Sequence, residues 1–300
     1  MLVGSLAAVV LATVVATPRG TPAGPTPTGL LPELEAIDAV DDRDRPPRLV
    51  VAGDSTANAI GTGLQTWAGP SGALQVSVIS GPGCALLAGE TARYRPGYEF
   101  TPDGCDVLLP RAVAEAQRVD ADALVVFLGS PQLADWRFPL DPEWRNILEP
   151  ELGERYQHRL DEMLEAATAT GIPVLVADVP PPAWDLDAFG EMLGGGELPG
   201  SGEPVINEPA RTERLNTLTA EVVAAHDGAE LVAYTAGLTG PNGHIPRDAR
   251  ADGLHLSEPQ VATAADEWLI NVIADAERRV RARIGGAASG VSWPLAEPVA

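Results

Sequence analysis

Short apolar runs punctuate the chain, and each is followed by a stretch in which apolar positions recur every three to four residues. Residues 48–52, 74–79, 123–128 and 173–178 have the length and β-branched content of buried strands, with 231–234 as a shorter fifth. Between them, Ile60, Leu64 and Trp67 share one helical face, and residues 111–118 are helix-prone. Leu160, Met163, Leu164 and Ala167 form another apolar stripe, as do Leu215, Leu218, Val222 and Val223. A last helix opens at Ser257, with Pro259 in its first turn and Gln260 in the capping-box position. It continues through Val261, Ala265, Trp268, Leu269, Val272 and Ile273. Strands that alternate with helices predict the α/β class: a three-layer α/β/α domain around a central, mainly parallel five-stranded sheet. Two irregular segments, 138–154 and 180–209, follow the third and fourth strands. They lie at the carboxyl edge, where open sheets of this kind bind ligands.

The ends of the chain read differently. Residues 2–16 are an uncharged apolar run, shorter than the roughly 20 residues a membrane span needs. They read as a signal-peptide core, with Val14 and Ala16 as the cleavage pattern, or as a membrane-anchor remnant. Residues 17–46 form a Pro-rich linker, 47–284 the folded domain and 285–300 a loose C-terminal tail. This layout predicts an exported domain, extracellular or in the cell envelope, and membrane-anchored in the second reading.

Charge removes several classes. Asp and Glu number 42 against 20 basic residues, every one an arginine, for a net charge of −22. Such a chain lacks the basic footprint that nucleic acid or an anionic lipid surface requires. A hydrophobic share of 45% excludes a disordered chain. Two cysteines are too few for a cysteine-built zinc site, and no H-E-x-x-H or calcium-loop spacing occurs. The Gly194, Gly195, Gly196 run does not follow a strand, so it is no phosphate-cradling loop. Neither a metal nor another cofactor is expected.

The candidate chemistry lies in two turns. Gly53-Asp54-Ser55-Thr56 ends the first strand and opens a helix. A serine there sits among free backbone N–H groups and the positive end of the helix dipole, which favour a developing anion. A plain N-cap serine has the same pattern, and Ala57 breaks the G-x-S-x-G elbow of ordinary α/β-hydrolases. Asp252-Gly253-Leu254-His255 immediately precedes the last helix. Across its tight turn Asp252 reaches the imidazole Nδ1–H and leaves Nε2 for a serine. His158 and His226 fall in helix-like segments as solvated residues, and His244 falls in a loop.

The two turns resemble the first and last blocks of the SGNH (GDSL-type) hydrolase superfamily, over most of residues 47–275. The stretch from Arg250 to Ser257 is similar to SGNH domains attached to bacterial acyltransferase-3 membrane proteins, which modify extracellular glycans. The resemblance implies the SGNH, flavodoxin-like form of the α/β/α fold. It makes Ser55 the nucleophile, His255 the base and Asp252 its orienter. It places the oxyanion between the Ser55 N–H and a second-block glycine, Gly83 with Gly81 as rival. The family's third block, Gly-x-Asn-Asp, donates an asparagine amide to that hole. Here Gly129-Ser130-Pro131-Gln132 lacks the asparagine and leaves Gln132 or Ser130 to replace it. The implied substrate is an acylated carbohydrate or small ester, and the implied partner a membrane tether or associated membrane acyltransferase. Two other readings stand beside this one. The first is a secreted GDSL-type esterase or lipase on small or lipid esters, and the second a non-catalytic SGNH-fold glycan-binding module. Trp136, Trp144 and Trp184 fall in or beside the long loops, as sugar-stacking or as packing residues. In an exported chain Cys84 and Cys105 pair as a disulfide that braces the Gly83 turn.

Overall fold

Successive residues of the first strand, β1 (Arg48–Gly53), point to opposite sides of a sheet, and both sides are apolar. The computed structural model describes residues 45–87, 91–102, 104–186, 190, 198–242, 244–285 and 292–295. The apolar run at 2–16 and nearly all of the linker lie outside the described residues. After β1 come α1 (Ser55–Ala68), β2 (Gln75–Ser80), β3 (Thr91–Arg95), β4 (Tyr98–Phe100), α2 (Cys105–Arg118) and β5 (Ala123–Phe127). Then follow β6 (Asp135–Arg137), α3 (Pro150–Thr168), β7 (Val174–Ala177), α4 (Pro209–Val223), β8 (Ala229–Val232) and the short α5 (Tyr234–Leu238). The last helical stretch is α6 (Glu258–Ala264), one π turn (Ala265–Leu269) and α7 (Ile270–Arg283).

Five strands pair in parallel in the order β2-β1-β5-β7-β8. Val50, Ala52, Leu124, Val126, Val174 and Val176 pack on one face against α2, α3 and α4. Leu49, Val51, Val125, Phe127 and Leu175 pack on the other face against α1, α6 and α7. A sheet covered on both faces needs apolar residues at every position, which is why these strands read as continuous runs. Each fully buried Leu, Val or Phe stabilises the fold by about 1.5–3 kcal/mol.

Several boundaries differ from the sequence reading. The fifth strand is Ala229–Val232, not 231–234, because Tyr234 leaves the sheet to pack edge-on against Phe127 at 5.3 Å. The segment between the cysteines carried no predicted element. It holds β3 and β4, which join β6 in an antiparallel sheet of order β4-β3-β6. The helix at 111–118 starts earlier, at Cys105, and carries Pro110 inside it, a residue that ordinarily breaks helices. Helix α3 begins at Pro150, where a missing N–H costs nothing, and so absorbs the end of the segment read as irregular. The C-terminal tail is not loose throughout, since Trp293 packs against the second core.

Cys84 and Cys105 are disulfide-bonded, 21 residues apart, and join the turn after β2 to the start of α2. Closing a loop of that length restricts the unfolded chain by about 3 kcal/mol. The Cys84→Ala/Cys105→Ala double variant is expected to lose about that much in urea unfolding.

Candidate active site

Strand order reverses direction between β1 and β5: the chain passes from β1 outward to β2, then returns to β5 on the other side. The carboxyl ends of these two strands frame the crevice where such sheets place their chemistry. Gly53 closes β1 at φ +138°, with its backbone so near β5 that a Cβ atom would lie 1.9 Å from the Phe127 carbonyl oxygen. Asp54 then caps α1, accepting from the Thr56 N–H at 2.8 Å. Its second oxygen accepts from the Gly129 N–H at 3.0 Å, so one carboxylate latches the two strand ends together. Burial pushes the Asp54 carboxyl above its ordinary pKa, and the donors from Thr56 and Gly129 offset only part of that rise. The sequence suggested Ser55 as a possible N-cap; the structure gives that role to Asp54 and makes Ser55 the first helical residue. The latch to Gly129 spans 75 residues and left no local signal.

Ser55, the first residue of α1, meets His255 across this edge: Oγ lies 2.8 Å from Nε2. His255 Nδ1 is 2.5 Å from Asp252 Oδ2. The other Asp252 oxygen accepts from the backbone N–H groups of Leu254 (2.9 Å) and His255 (2.8 Å). These bonds fix the ring so that Nε2 faces the serine. Gly253 makes the turn possible at φ +78°, where a Cβ would lie 1.9 Å from the Ala183 carbonyl oxygen. Burial works to raise the Asp252 pKa, but the hydrogen bonds from His255 and Leu254 outweigh it and hold the carboxyl below its ordinary value.

That depression has a direction in stability. Asp252 binds its proton less readily folded than unfolded, so its contribution is fully present above the ordinary value near 3.8. The contribution disappears as pH falls through the lower folded-state value. Asp252→Asn removes the titrating group. Urea unfolding between about pH 6 and pH 2 is expected to show a shallower fall in stability for the variant than for the parent.

Oxyanion donors can be sorted by which N–H groups are already used. The Gly81 N–H donates to the Gly53 carbonyl at 3.0 Å, so that candidate is occupied. Gly83 sits at φ +70° in open space, and its N–H has no partner among the described residues. The Ser55 N–H is likewise unpaired among the described residues. Gln132 is not presented to this space. It is fully buried, its Oε1 accepts from the Leu86 N–H at 3.2 Å, and its Nε2 is closed off from solvent with no partner. The reading of Gln132 as the replacement donor does not fit this placement, because a donor must reach the volume a substrate oxygen occupies. Gln132→Met is therefore expected to change kcat by less than about tenfold, against about 10²–10³ for loss of a true oxyanion donor. Ser130 lines a small cavity beside Thr56 and Gly129.

The remaining candidates separate cleanly. Trp136 is fully buried and is a packing residue. Trp144 is covered by guanidinium groups, Arg93 at 4.2 Å and Arg137 at 4.7 Å. Trp184 stands edge-on to Tyr94 and borders a cavity of about 950 Å³. His226 pairs with Asp161 at 2.8 Å and His158 with Glu162 at 3.5 Å, while His244 stays in an exposed loop. Among the described residues no helix is long and apolar enough to cross a membrane.

This is the architecture of the SGNH, or GDSL-type, hydrolases. Within that class the chain belongs to the family of SGNH domains fused to AT3 domains, whose model matches residues 26–239. That match ends before Asp252 and His255, which are placed by the distances above. No curated protein matches the chain. Similar solved structures include a GDSL-like lipase from Bacteroides thetaiotaomicron, at 14% identity and a TM-score of 0.46, covering 77% of this chain and 87% of that one. A catalytic mutant of an acetylxylan esterase from Geobacillus stearothermophilus is also similar, at 12% identity and a TM-score of 0.41, covering 83% and 97%.

Proposed function

We propose that the protein is an exported serine esterase or O-acyltransferase acting on acyl esters, with O-acetyl groups of extracellular or cell-envelope carbohydrate as its substrates. The observation that carries this reading is the 2.8 Å approach of Ser55 Oγ to His255 Nε2, with Asp252 on the other ring nitrogen. Ser55 Oγ attacks the acyl carbonyl carbon and gives its proton to His255 Nε2. The charge that develops on the carbonyl oxygen is received by the Ser55 and Gly83 N–H groups. Collapse of the tetrahedral intermediate expels the sugar oxygen, which takes the proton back from His255. The acyl-serine is then resolved by water or by another sugar hydroxyl, with His255 again as base. Water makes the protein an esterase; a sugar makes it a transferase. Membership of a family fused to AT3 domains supports the glycan and envelope assignment. It also supports an associated membrane acyltransferase as partner.

A second reading, a glycan-binding module without activity, draws on Gln132. With its amide buried, only two backbone donors remain for the oxyanion. One experiment separates the readings. The full chain is treated with a fluorophosphonate probe and with 4-nitrophenyl acetate. Labelling and turnover that both require Ser55 support the enzyme. Glycan binding without either supports the module.

A further inference from the structure

A cavity of about 950 Å³ lies against the turn that carries Asp252. Arg250, Ala251 and Gly253 line it on that side, with Trp184, Ser201 and Asn207 elsewhere on its wall. Neither Ser55 nor His255 lines it. In a chain of net charge −22, this cavity is bordered by two nearly buried arginines, Arg95 and Arg250, at 5% and 6% exposure. Arg95 is anchored on the carbonyls of Leu198 and Pro199. Arg250 is held differently. Its guanidinium donates to the Pro181 carbonyl at 2.8 Å and has no carboxylate at ion-pair distance among the described residues.

Beyond burial itself, the groups that act on Arg250 electrostatically are Tyr234 and then Asp252. Both Asp252 oxygens are already engaged by Leu254 and His255. Asp185 and Glu203 also border the cavity, but both are exposed to solvent, where their charge is screened. A desolvated guanidinium with no carboxylate in contact is costly to hold. Its fork of N–H donors matches a carboxylate or phosphate, which would relieve that cost. Arg250 also borders the small cavity shared with Thr56, Gly129 and Ser130, so it stands between the large cavity and the surroundings of the nucleophile.

We infer that the cavity is an anion subsite in which Arg250 receives a carboxylate or phosphate on the substrate's carbohydrate. The inference rests on the carbohydrate-ester reading and narrows it to an acidic glycan. The anionic group sits on a sugar unit next to the one that bears the ester.

Binding tests this without requiring turnover. The full-length Ser55→Ala variant is titrated by calorimetry with methyl β-glucuronoside, with the neutral methyl β-glucoside and with inorganic phosphate, at fixed ionic strength. The glucuronoside is expected to bind at least about tenfold tighter than the glucoside. That margin is expected to shrink below about threefold when Arg250→Gln is added. Arg250→Lys, which keeps the charge without the bidentate fork, is titrated beside it and carries the test should Arg250→Gln fail to fold, with the margin again expected to shrink. Binding of phosphate tighter than the glucuronoside supports the subsite and names a phosphorylated sugar as the source. Equal affinity for the two glycosides with no phosphate binding overturns the inference. So does a glucuronoside preference that survives both substitutions. Turnover of 4-nitrophenyl acetate by the parent protein is scored separately. Its absence with the anion preference intact counts against the esterase alone.

Discussion

Ser55→Ala is expected to lower turnover of an activated acetate ester by about 10⁴-fold or more and to abolish fluorophosphonate labelling. The size follows from geometry. In the proposed mechanism the serine oxygen is the atom that attacks, and among the described residues it is the hydrogen-bond partner of His255 Nε2. The two backbone donors survive the substitution, so rate above the water background persists at the level the oxyanion site alone supplies. Stability is expected to change little, because Asp54 rather than Ser55 caps α1. Labelling or turnover that persists in the variant would overturn the assignment of the nucleophile. A loss of turnover accompanied by unfolding would show only that the helix start was damaged, so thermal melting accompanies the assay.

The largest expected stability effect belongs to Gly53→Ala. A Cβ there would lie 1.9 Å from the Phe127 carbonyl oxygen, and the backbone φ of +138° is one that side chains disfavour. Relief requires β1 and β5 to part at their carboxyl ends. That movement breaks the bond from the Asp54 N–H to the Phe127 carbonyl, now 3.2 Å, and the Asp54 latch on Gly129. Both strands lie inside the central sheet, so no edge is free to give. A loss of about 4 kcal/mol or more is expected in chemical denaturation, with activity falling alongside. A loss below about 1 kcal/mol would show that the strands tolerate the methyl group and that the close approach is not required.

What the sequence revealed depended on how locally each feature is encoded. The four main strands were legible because burial on both faces demands unbroken apolar runs such as Val50, Val51 and Ala52 or Val125 and Val126. The Asp252–His255 contact was legible because three residues of turn carry it. The small sheet was not. In β3, Ala92 and Tyr94 point inward while Arg93 pairs with Asp135 across the sheet, and this mixed composition reads as polar loop. Ser55 and His255 lie 200 residues apart, so only the fold could show that they meet. Gln132 looked like a donor from its place in the motif, and its inward turn toward Leu86 depends on packing that no local pattern records. Arg250 passed as one residue of a motif, because an unpaired buried charge is a property of its surroundings.

The bond between Cys84 and Cys105 carries a consequence for when the protein becomes competent. It staples the turn that holds Gly83 to the start of α2. In a reducing cytosol both sulfurs remain thiols, and that turn lacks its covalent brace. Were the chain exported as proposed, it would acquire this brace beside Gly83 only on arrival in oxidising surroundings. Maturation would then coincide with delivery.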